Sequence, residues 1–294
     1  MKLLITGSTG FIGRHLCRAL QNNGIDFIAL VRSATDKTGL RQSGTKYHIE
    51  DAGIGALIEW MIQECFDGVI HLASCFLVQH EPDDIERLIE SNLAFPTRVL
   101  EAAARSNIKW FLNTGTFWQN YQNHDYDPVN LYAATKEALL DIARFYTETT
   151  SLVFTTIKIN DTYGPDDTRL KLFYLWNRIS QTDELFEMSP GEQLVDIVYI
   201  GDVIGAFLQM IENLSGINPK IHNGKCYAIS SNHLVTLQEL AYLYTQVTGR
   251  YLNIVWGGRS YRPREIMTPW SNFEIVPGWK PLYSLEEGIK ETLK

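Results

Sequence analysis

The chain has 294 residues, 34 acidic against 26 basic side chains and a formal charge of −8. Its composition, 45% hydrophobic and 20% charged, is that of a globular protein with one large or two smaller cores, which excludes a disordered chain. The acidic balance argues against nucleic-acid binding, which needs a basic footprint, and no apolar run approaches the ~18 residues of a membrane span. Met1–Ile5 turns into Thr6-Gly7 too early for a secretory signal, and Cys17, Cys65, Cys75 and Cys226 form no CxxC pair. The expectation is a cytoplasmic protein with reduced thiols and no metal site.

Residues 2–6 (KLLIT) form an apolar run, and 11–22 carry apolar positions at helical spacing. Between them lies Gly7-Ser8-Thr9-Gly10-Phe11-Ile12-Gly13. Glycines there let the backbone approach a pyrophosphate, and the helix start offers free N–H groups and a positive dipole end. The spacing is GxxGxxG rather than GxGxxG, but it sits at the first strand–helix turn, where a dinucleotide site belongs. Residues 26–31 (DFIALV) read as a second strand. It is followed by Arg32-Ser33 and no acid, a pattern that favours the 2′-phosphate of NADP(H) over the free ribose of NAD(H).

Residues 68–72 (GVIHL) and 109–113 (KWFLN) read as further strands, and 84–106 and 131–150 as long helices. This alternation predicts an α/β fold with a doubly wound parallel sheet. Asn113-Thr114-Gly115-Thr116 ends a strand at the edge where such sheets bind ligands. Tyr132 and Lys136 stand at i and i+4 on one helix face, where a cation is expected to lower the phenol pKa for proton transfer. With 14 tyrosines in the chain, that spacing alone is weak. A Thr–Tyr–Lys set with Thr114 is what gives it meaning.

Beyond residue 160 glycine, proline and tryptophan become frequent, from Gly164-Pro165 to Pro277-Gly278. Residues 1–160 are expected to form the dinucleotide-binding domain and 161–294 a smaller, interleaved portion. Residues 194–199 (LVDIVY) are expected to return to the main sheet, within a segment 194–205 that rejoins the first domain.

Jointly, several elements resemble the extended short-chain dehydrogenase/reductase (NAD-dependent epimerase/dehydratase) family over nearly the whole chain. They are Gly7, Gly10 and Gly13, His71-Leu72-Ala73-Ser74, Asn92 in Ser91–Ala94, the set Thr114, Tyr132 and Lys136, and Tyr163-Gly164-Pro165. The tail Gly278-Trp279-Lys280-Pro281 with Leu285–Ile289 is similar too. The resemblance implies a Rossmann-like domain, a C-terminal portion for a nucleoside-diphosphate sugar, and a homodimer through 84–106 and 131–150. It implies cofactor contacts at Gly7, Thr9, Gly10, Phe11, Ile12, Gly13, Arg32, Ser33, Asp51, Leu72, Ala73, Asn92, Tyr132 and Lys136. It places substrate contacts at Thr116, Asp161 and Arg262.

Departures from the family pattern narrow the chemistry. Gly115 and Thr116 stand where the family's sugar dehydratases carry Asp-Glu, so water elimination is not expected. Val195 replaces an arginine that usually holds substrate phosphate, and Asp161 an asparagine, with Asn160 beside it. The segment Asn113–Phe117, the short loop before Tyr132 and the run Arg262–Met267 resemble CDP-abequose and CDP-paratose synthases. The implied reaction is NADPH-dependent reduction of the 4-keto group of a CDP-3,6-dideoxyhexulose, for cell-surface polysaccharide. A GDP- or dTDP-linked 4-keto-6-deoxy sugar and an NAD-retaining epimerase are the alternatives. His71 reads as a packed histidine and Cys75 as an inert thiol. His124, Asp125, Arg169 and Arg264 stay open between pocket and surface.

Overall fold

A computed structural model describes residues 1–182 and 184–293. The first half runs β1 (Lys2–Thr6), α1 (Phe11–Asn22), β2 (Asp26–Arg32), α2 (Thr38–Gln42), β3 (Tyr47–Glu50), α3 (Gly53–Glu64), β4 (Gly68–His71), α4 (Ile85–Ile89), α5 (Phe95–Arg105), β5 (Trp110–Thr116), α6 (Leu131–Thr149) and β6 (Val153–Ile159). The second half runs β7 (Asp161–Tyr163), α7 (Leu172–Ile179), β8 (Phe186–Met188), β9 (Leu194–Val195), β10 (Ile197–Tyr199), α8 (Ile200–Ser215), β11 (Cys226–Ile229), β12 (Val235–Thr236), α9 (Leu237–Thr248), β13 (Ile254–Trp256), β14 (Glu274–Ile275) and α10 (Leu285–Thr292).

Eight strands form the main sheet in the order β14-β11-β6-β5-β4-β1-β2-β3, every neighbour parallel. Its central strands are apolar on both faces because helices cover both. Side-chain alternation divides β1: Leu3 and Ile5 join a core with Leu16 and Phe207, while Leu4 joins Val69, Val99 and Phe111 on the opposite face. A third core, around Phe173, Trp176, Leu240 and Tyr244, belongs to the C-terminal portion. Among the described residues no helix is long and apolar enough to cross a membrane.

The expected helix over 84–106 is helical throughout 85–105 but contains a π turn, Glu90–Ala94, between α4 and α5. Pro96 lies in the turn that follows and has no N–H to donate, so the regular ladder fails there and one wider turn forms.

The expected return of 194–199 to the main sheet does not occur. The segment splits at Asp196. β9 pairs antiparallel with β12, and β10 pairs parallel with β7. The buried Asp196 carboxylate accepts from Ser231 N (2.9 Å) and Oγ (2.6 Å), which pins the chain to the C-terminal portion. The place beside β6 goes instead to β11, whose residues pair Cys226↔Thr156 to Ile229↔Ile159. Segment 200–205 does rejoin the first core as the start of α8, through Val203 and Ile204.

Candidate active site

The first glycine turn is shaped by contact with backbone. Gly7 has φ +72°, and a Cβ on it would lie 2.5 Å from Ala73 N. A Cβ on Gly13 would lie 2.1 Å from Gly7 O. These glycines bring the loop, the start of α1 and residues 72–73 into one cleft. Helix α1 begins with no side-chain cap and no acid in its first turn, so its free N–H groups and dipole face the cleft unopposed. The cleft, about 190 Å³, is lined by Gly7, Thr9, Gly10, Arg32, Leu72, Ala73 and Ser74 among others. A cradle that any Cβ would fill, above an uncapped helix start, fits the diphosphate of a nicotinamide dinucleotide.

Arg32 ends β2 on this cleft and donates from Nη1 to Ser91 Oγ (3.1 Å). The neighbouring acid in register, Glu50, is paired with Arg98 Nε (3.3 Å). Ser33 is exposed and its carbonyl accepts from Lys37 Nζ (2.8 Å). Asp51 is exposed outside the cleft lining, in electrostatic contact with His48. Phe11 and Ile12 pack into the first core rather than into the cleft. Phe11 also carries the Arg169 guanidinium 4.2 Å above its ring.

Asn92 faces the protein, not the cleft. Its side chain accepts from Cys75 N (2.8 Å) and Ser74 Oγ (3.2 Å) and donates to Cys75 O (3.0 Å) and Thr135 Oγ1 (3.0 Å). The π turn presents it to loop 74–75 and to α6 at once. The expected cofactor contact at Asn92 is thus a clamp that holds the cleft wall, since all these bonding positions are spent on protein. His71 is buried, with Nδ1 2.8 Å from Thr6 Oγ1 and its ring beside Phe95 and Phe111. Burial, with Lys136 adding, pushes its pKa down to about 3, so it is a neutral packing residue.

Thr114 and Lys136 are brought together near the end of β5 and the start of α6, and Tyr132 precedes Lys136 by one turn on α6. Lys136 Nζ donates to Thr114 O (3.0 Å), and Thr114 Oγ1 is buried with no partner. Ser74, which lines the glycine cleft, bonds the Tyr132 hydroxyl, and Phe76 meets its ring edge-on at 5.0 Å. The expected depression of the phenol pKa by Lys136 is not found. Tyr132 is 9% exposed and Lys136 2%, and loss of water dominates both groups. Burial pushes Tyr132 up to about 12 and Lys136 down to about 8. The phenol therefore carries its proton at neutral pH.

Burying the Lys136 ammonium costs on the order of 3 kcal/mol. Its folded pKa, about 8, lies below the ordinary 10.5. The penalty is full below pH 8 and is relieved as pH rises towards 10.5. Lys136→Met is expected to raise stability by about 2 kcal/mol at pH 7 while impairing activity, a gain that shrinks by pH 10. Urea denaturation at the two pH values checks it; equal gains would contradict the assignment to charge burial.

The second pocket, about 490 Å³, lies between the end of β6 and the segment 259–266. Asp161, Arg262 and Arg264 line it, as do Arg259, Trp118 and Asn160. The Lys171 ammonium, 2.6 Å away, holds the Asp161 carboxyl below its ordinary value, with Arg169 and Arg262 adding to it. Arg262 is paired with Glu265 through Nε and Nη2 (both 3.1 Å). Arg264 pairs with Asp127 and lies 4.3 Å over the Tyr121 ring. Arg169 is spent on Asp167 and Thr162. A cluster of arginines at a pocket mouth suits an anionic diphosphate.

Thr116, expected as a substrate contact, is absent from this lining. It caps a short 3₁₀ turn, accepting from Trp118 N (3.3 Å), while its own N–H donates to Gln119 Oε1 (2.8 Å). His124 is exposed and pairs with Asp127 at 3.3 Å, and the Asp125 carbonyl accepts from Asn120. Two further residues stand out in this region, and only Asn160 is marked in the sequence, as the asparagine beside Asp161. Asn160 has a buried amide nitrogen with no partner, and Phe76 covers Tyr132. Nothing in the sequence points to Phe76.

A model of the NAD dependent epimerase/dehydratase family matches residues 3–223. The CDP-abequose synthase of Salmonella typhimurium is 26% identical over 99% of this chain and 97% of that protein. That of Yersinia pseudotuberculosis is 24% identical over 92% of each. Among solved structures, the UDP-glucuronic acid 4-epimerase of Bacillus cereus, in complex with UDP-glucuronic acid and NAD, superposes with a TM-score of 0.85. It is 19% identical and covers 99% of this chain and 98% of that one. The UDP-glucose 4-epimerase of Thermotoga maritima superposes at 0.84, with 22% identity, over 100% of this chain and 97% of that one. With the glycine cradle, the buried phenol–ammonium pair and a match spanning residues 3–223, the chain belongs to the NAD dependent epimerase/dehydratase family.

Proposed function

We propose that the protein is an NADPH-dependent reductase of the 4-keto group of a nucleotide-activated deoxyhexulose, with a CDP-linked 3,6-dideoxyhexulose preferred. The observation that carries this reading is Arg32, which ends β2 on the glycine cleft where an acid would select the free ribose. A 2′-phosphate contact suits a cofactor that exchanges each turnover. It does not suit one retained for internal return. The near full-length similarity to CDP-abequose synthases supports the same substrate class.

When bound, the reduced nicotinamide supplies a hydride to the carbonyl carbon. Tyr132, neutral through burial, gives its proton to the carbonyl oxygen. The unpartnered Thr114 hydroxyl hydrogen-bonds that oxygen and orients it. Lys136 stands ready for the nicotinamide ribose, fixed by Thr114 O. Arg259, Arg262 and Arg264 meet the diphosphate of the sugar nucleotide.

Oxidation of NADPH and NADH by the purified protein, offered CDP-, dTDP- and GDP-linked 4-keto-deoxy sugars, tests the reading. Turnover with NADPH and the CDP sugar is expected. No net oxidation with any sugar, together with NAD released on denaturing the protein, would overturn it in favour of an epimerase. Arg32→Ala is expected to raise KM for NADPH by about 10- to 100-fold, the value of a charge-assisted contact, and to leave KM for NADH nearly unchanged. Equal effects on both cofactors would remove Arg32 from the 2′-phosphate.

A further inference from the structure

Two polar atoms in the wall of the large pocket have no partner. Asn160 Nδ2 is buried and bonds nothing, and the same is true of Gln193 Oε1. Both residues line the pocket, and Gln193 is 7% exposed. Asn160 Oδ1 accepts from Asp161 N (3.0 Å). A backbone N–H can only donate, so that bond fixes the amide with its NH₂ end free. Gln193 gives Nε2 to Ser189 Oγ (3.2 Å), which leaves its carbonyl oxygen over.

The fold brings these two residues to one stretch of wall. β7 and β10 run parallel with Asp161 opposite Ile197. Asn160 and Asp196 therefore stand at the same end of that strand pair, with Gln193 just before Asp196, and all three line the pocket. The charged neighbours are committed: Asp161 to Lys171, Asp196 to Ser231 and Arg262 to Glu265. One amide donor and one carbonyl acceptor are left. A buried polar atom without a partner is unfavourable, and in a cavity wall a ligand can supply the partner. A hydroxyl is a ligand group that accepts one hydrogen bond and donates another.

Position selects the hydroxyl. Thr114, which orients the carbonyl at C4, pairs with Ile157 on β6, and Asn160 follows the end of that strand. The arginines that meet the diphosphate on C1 line the same pocket as Asn160. C2 is the ring carbon next to C1. On a hexose that lacks oxygen at C3 and C6 and carries a carbonyl at C4, it bears the one free hydroxyl. We propose that Asn160 Nδ2 and Gln193 Oε1 together bind the 2-hydroxyl of the hexose, the first donating to it and the second accepting from it. The assignment rests on the reductase reading for the direction in which the ring lies.

Calorimetric titration of the purified protein with CDP, CDP-glucose and CDP-2-deoxyglucose tests the pair. The UDP forms are run in parallel, so that a different nucleobase changes only which series binds. Wild type is expected to bind the glucose conjugate about 10- to 100-fold more tightly than its 2-deoxy form. Asn160→Leu and Gln193→Met, each losing one bond, should cut that ratio to below about fivefold and leave the affinity for free nucleotide unchanged. Gln193→Glu keeps an acceptor oxygen and should retain most of the preference, which separates loss of the acceptor from a folding defect. No preference in wild type in either series, or a preference that both Asn160→Leu and Gln193→Met leave intact, overturns the inference. Equal losses of free nucleotide and glucose conjugate place the pair on the ribose and overturn it as well. A 2-hydroxyl preference that follows the expected pattern in a protein that oxidises no NADPH with any 4-keto sugar overturns the reductase reading alone.

Discussion

Replacing Tyr132 with phenylalanine is expected to lower kcat by about 10²- to 10⁴-fold, the value of a positioned general acid, with little change in melting temperature or in the Kd for NADPH. The edge-on contact with Phe76 at 5.0 Å survives the substitution, because it is made by the ring and not the hydroxyl. What disappears is the proton. Burial keeps the phenol near a pKa of about 12, so at neutral pH the group is almost wholly protonated and holds the proton that the proposed reduction requires. The Lys136 ammonium is turned onto Thr114 O and does not offset the desolvation. Single-turnover kinetics and a fluorescence titration with NADPH measure the two quantities separately. Retention of near-normal turnover would remove Tyr132 from proton transfer. A parallel loss of NADPH binding would show that the phenol holds the cofactor instead.

Gly13→Ala is expected to be the most damaging small change in the first turn. Its Cβ would fall 2.1 Å from Gly7 O and 2.7 Å from Ser8 Cα, both backbone atoms of the cradle itself. Neither atom can swing aside like a side-chain tip, so α1 must move away from the loop. The expected cost is about 3 kcal/mol, at the upper end for overpacking, with NADPH binding lost as the N–H groups shift. Gly55→Ala in α3 supplies the contrast. Nothing lies within 4 Å of its added Cβ, so that variant should gain about 0.5–1 kcal/mol from helix propensity. Urea denaturation and NADPH titration of both variants check the pair. If Gly13→Ala matched Gly55→Ala in stability and binding, the close approach at the cradle would carry no weight.

The parts legible in the sequence are those fixed by neighbours along the chain. The apolar runs of β1, β2 and β4, the glycines at 7, 10 and 13 and the i, i+4 pair Tyr132 and Lys136 each depend on a few adjacent residues. The parts that escaped depend on distant partners. Asn92 bonds groups 17 and 43 positions away, so its clamp role is invisible to spacing. Asp196 reads as the middle of a strand, yet its bond to Ser231, 35 positions on, splits that strand in two. Thr116 has the composition of a ligand contact but spends its bonds three residues ahead, on a cap. The phenol pKa went the other way because residue type reveals the nearby cation but not the loss of water around both groups.

The sheet itself limits how this molecule can open. β11 and β14 come from the C-terminal portion yet continue the same parallel ladder beyond β6. Rigid-body swinging of one portion against the other, as in hinged binding proteins, would have to tear four residue pairs between β11 and β6. Admission of a bulky sugar nucleotide is left to short segments at the rim, residues 72–80 and 259–272, whose displacement breaks few ladder bonds. The overall envelope should then stay constant through the catalytic cycle. Small-angle scattering is expected to return the same radius of gyration with and without NADPH and sugar nucleotide, while hydrogen exchange slows in those rim segments.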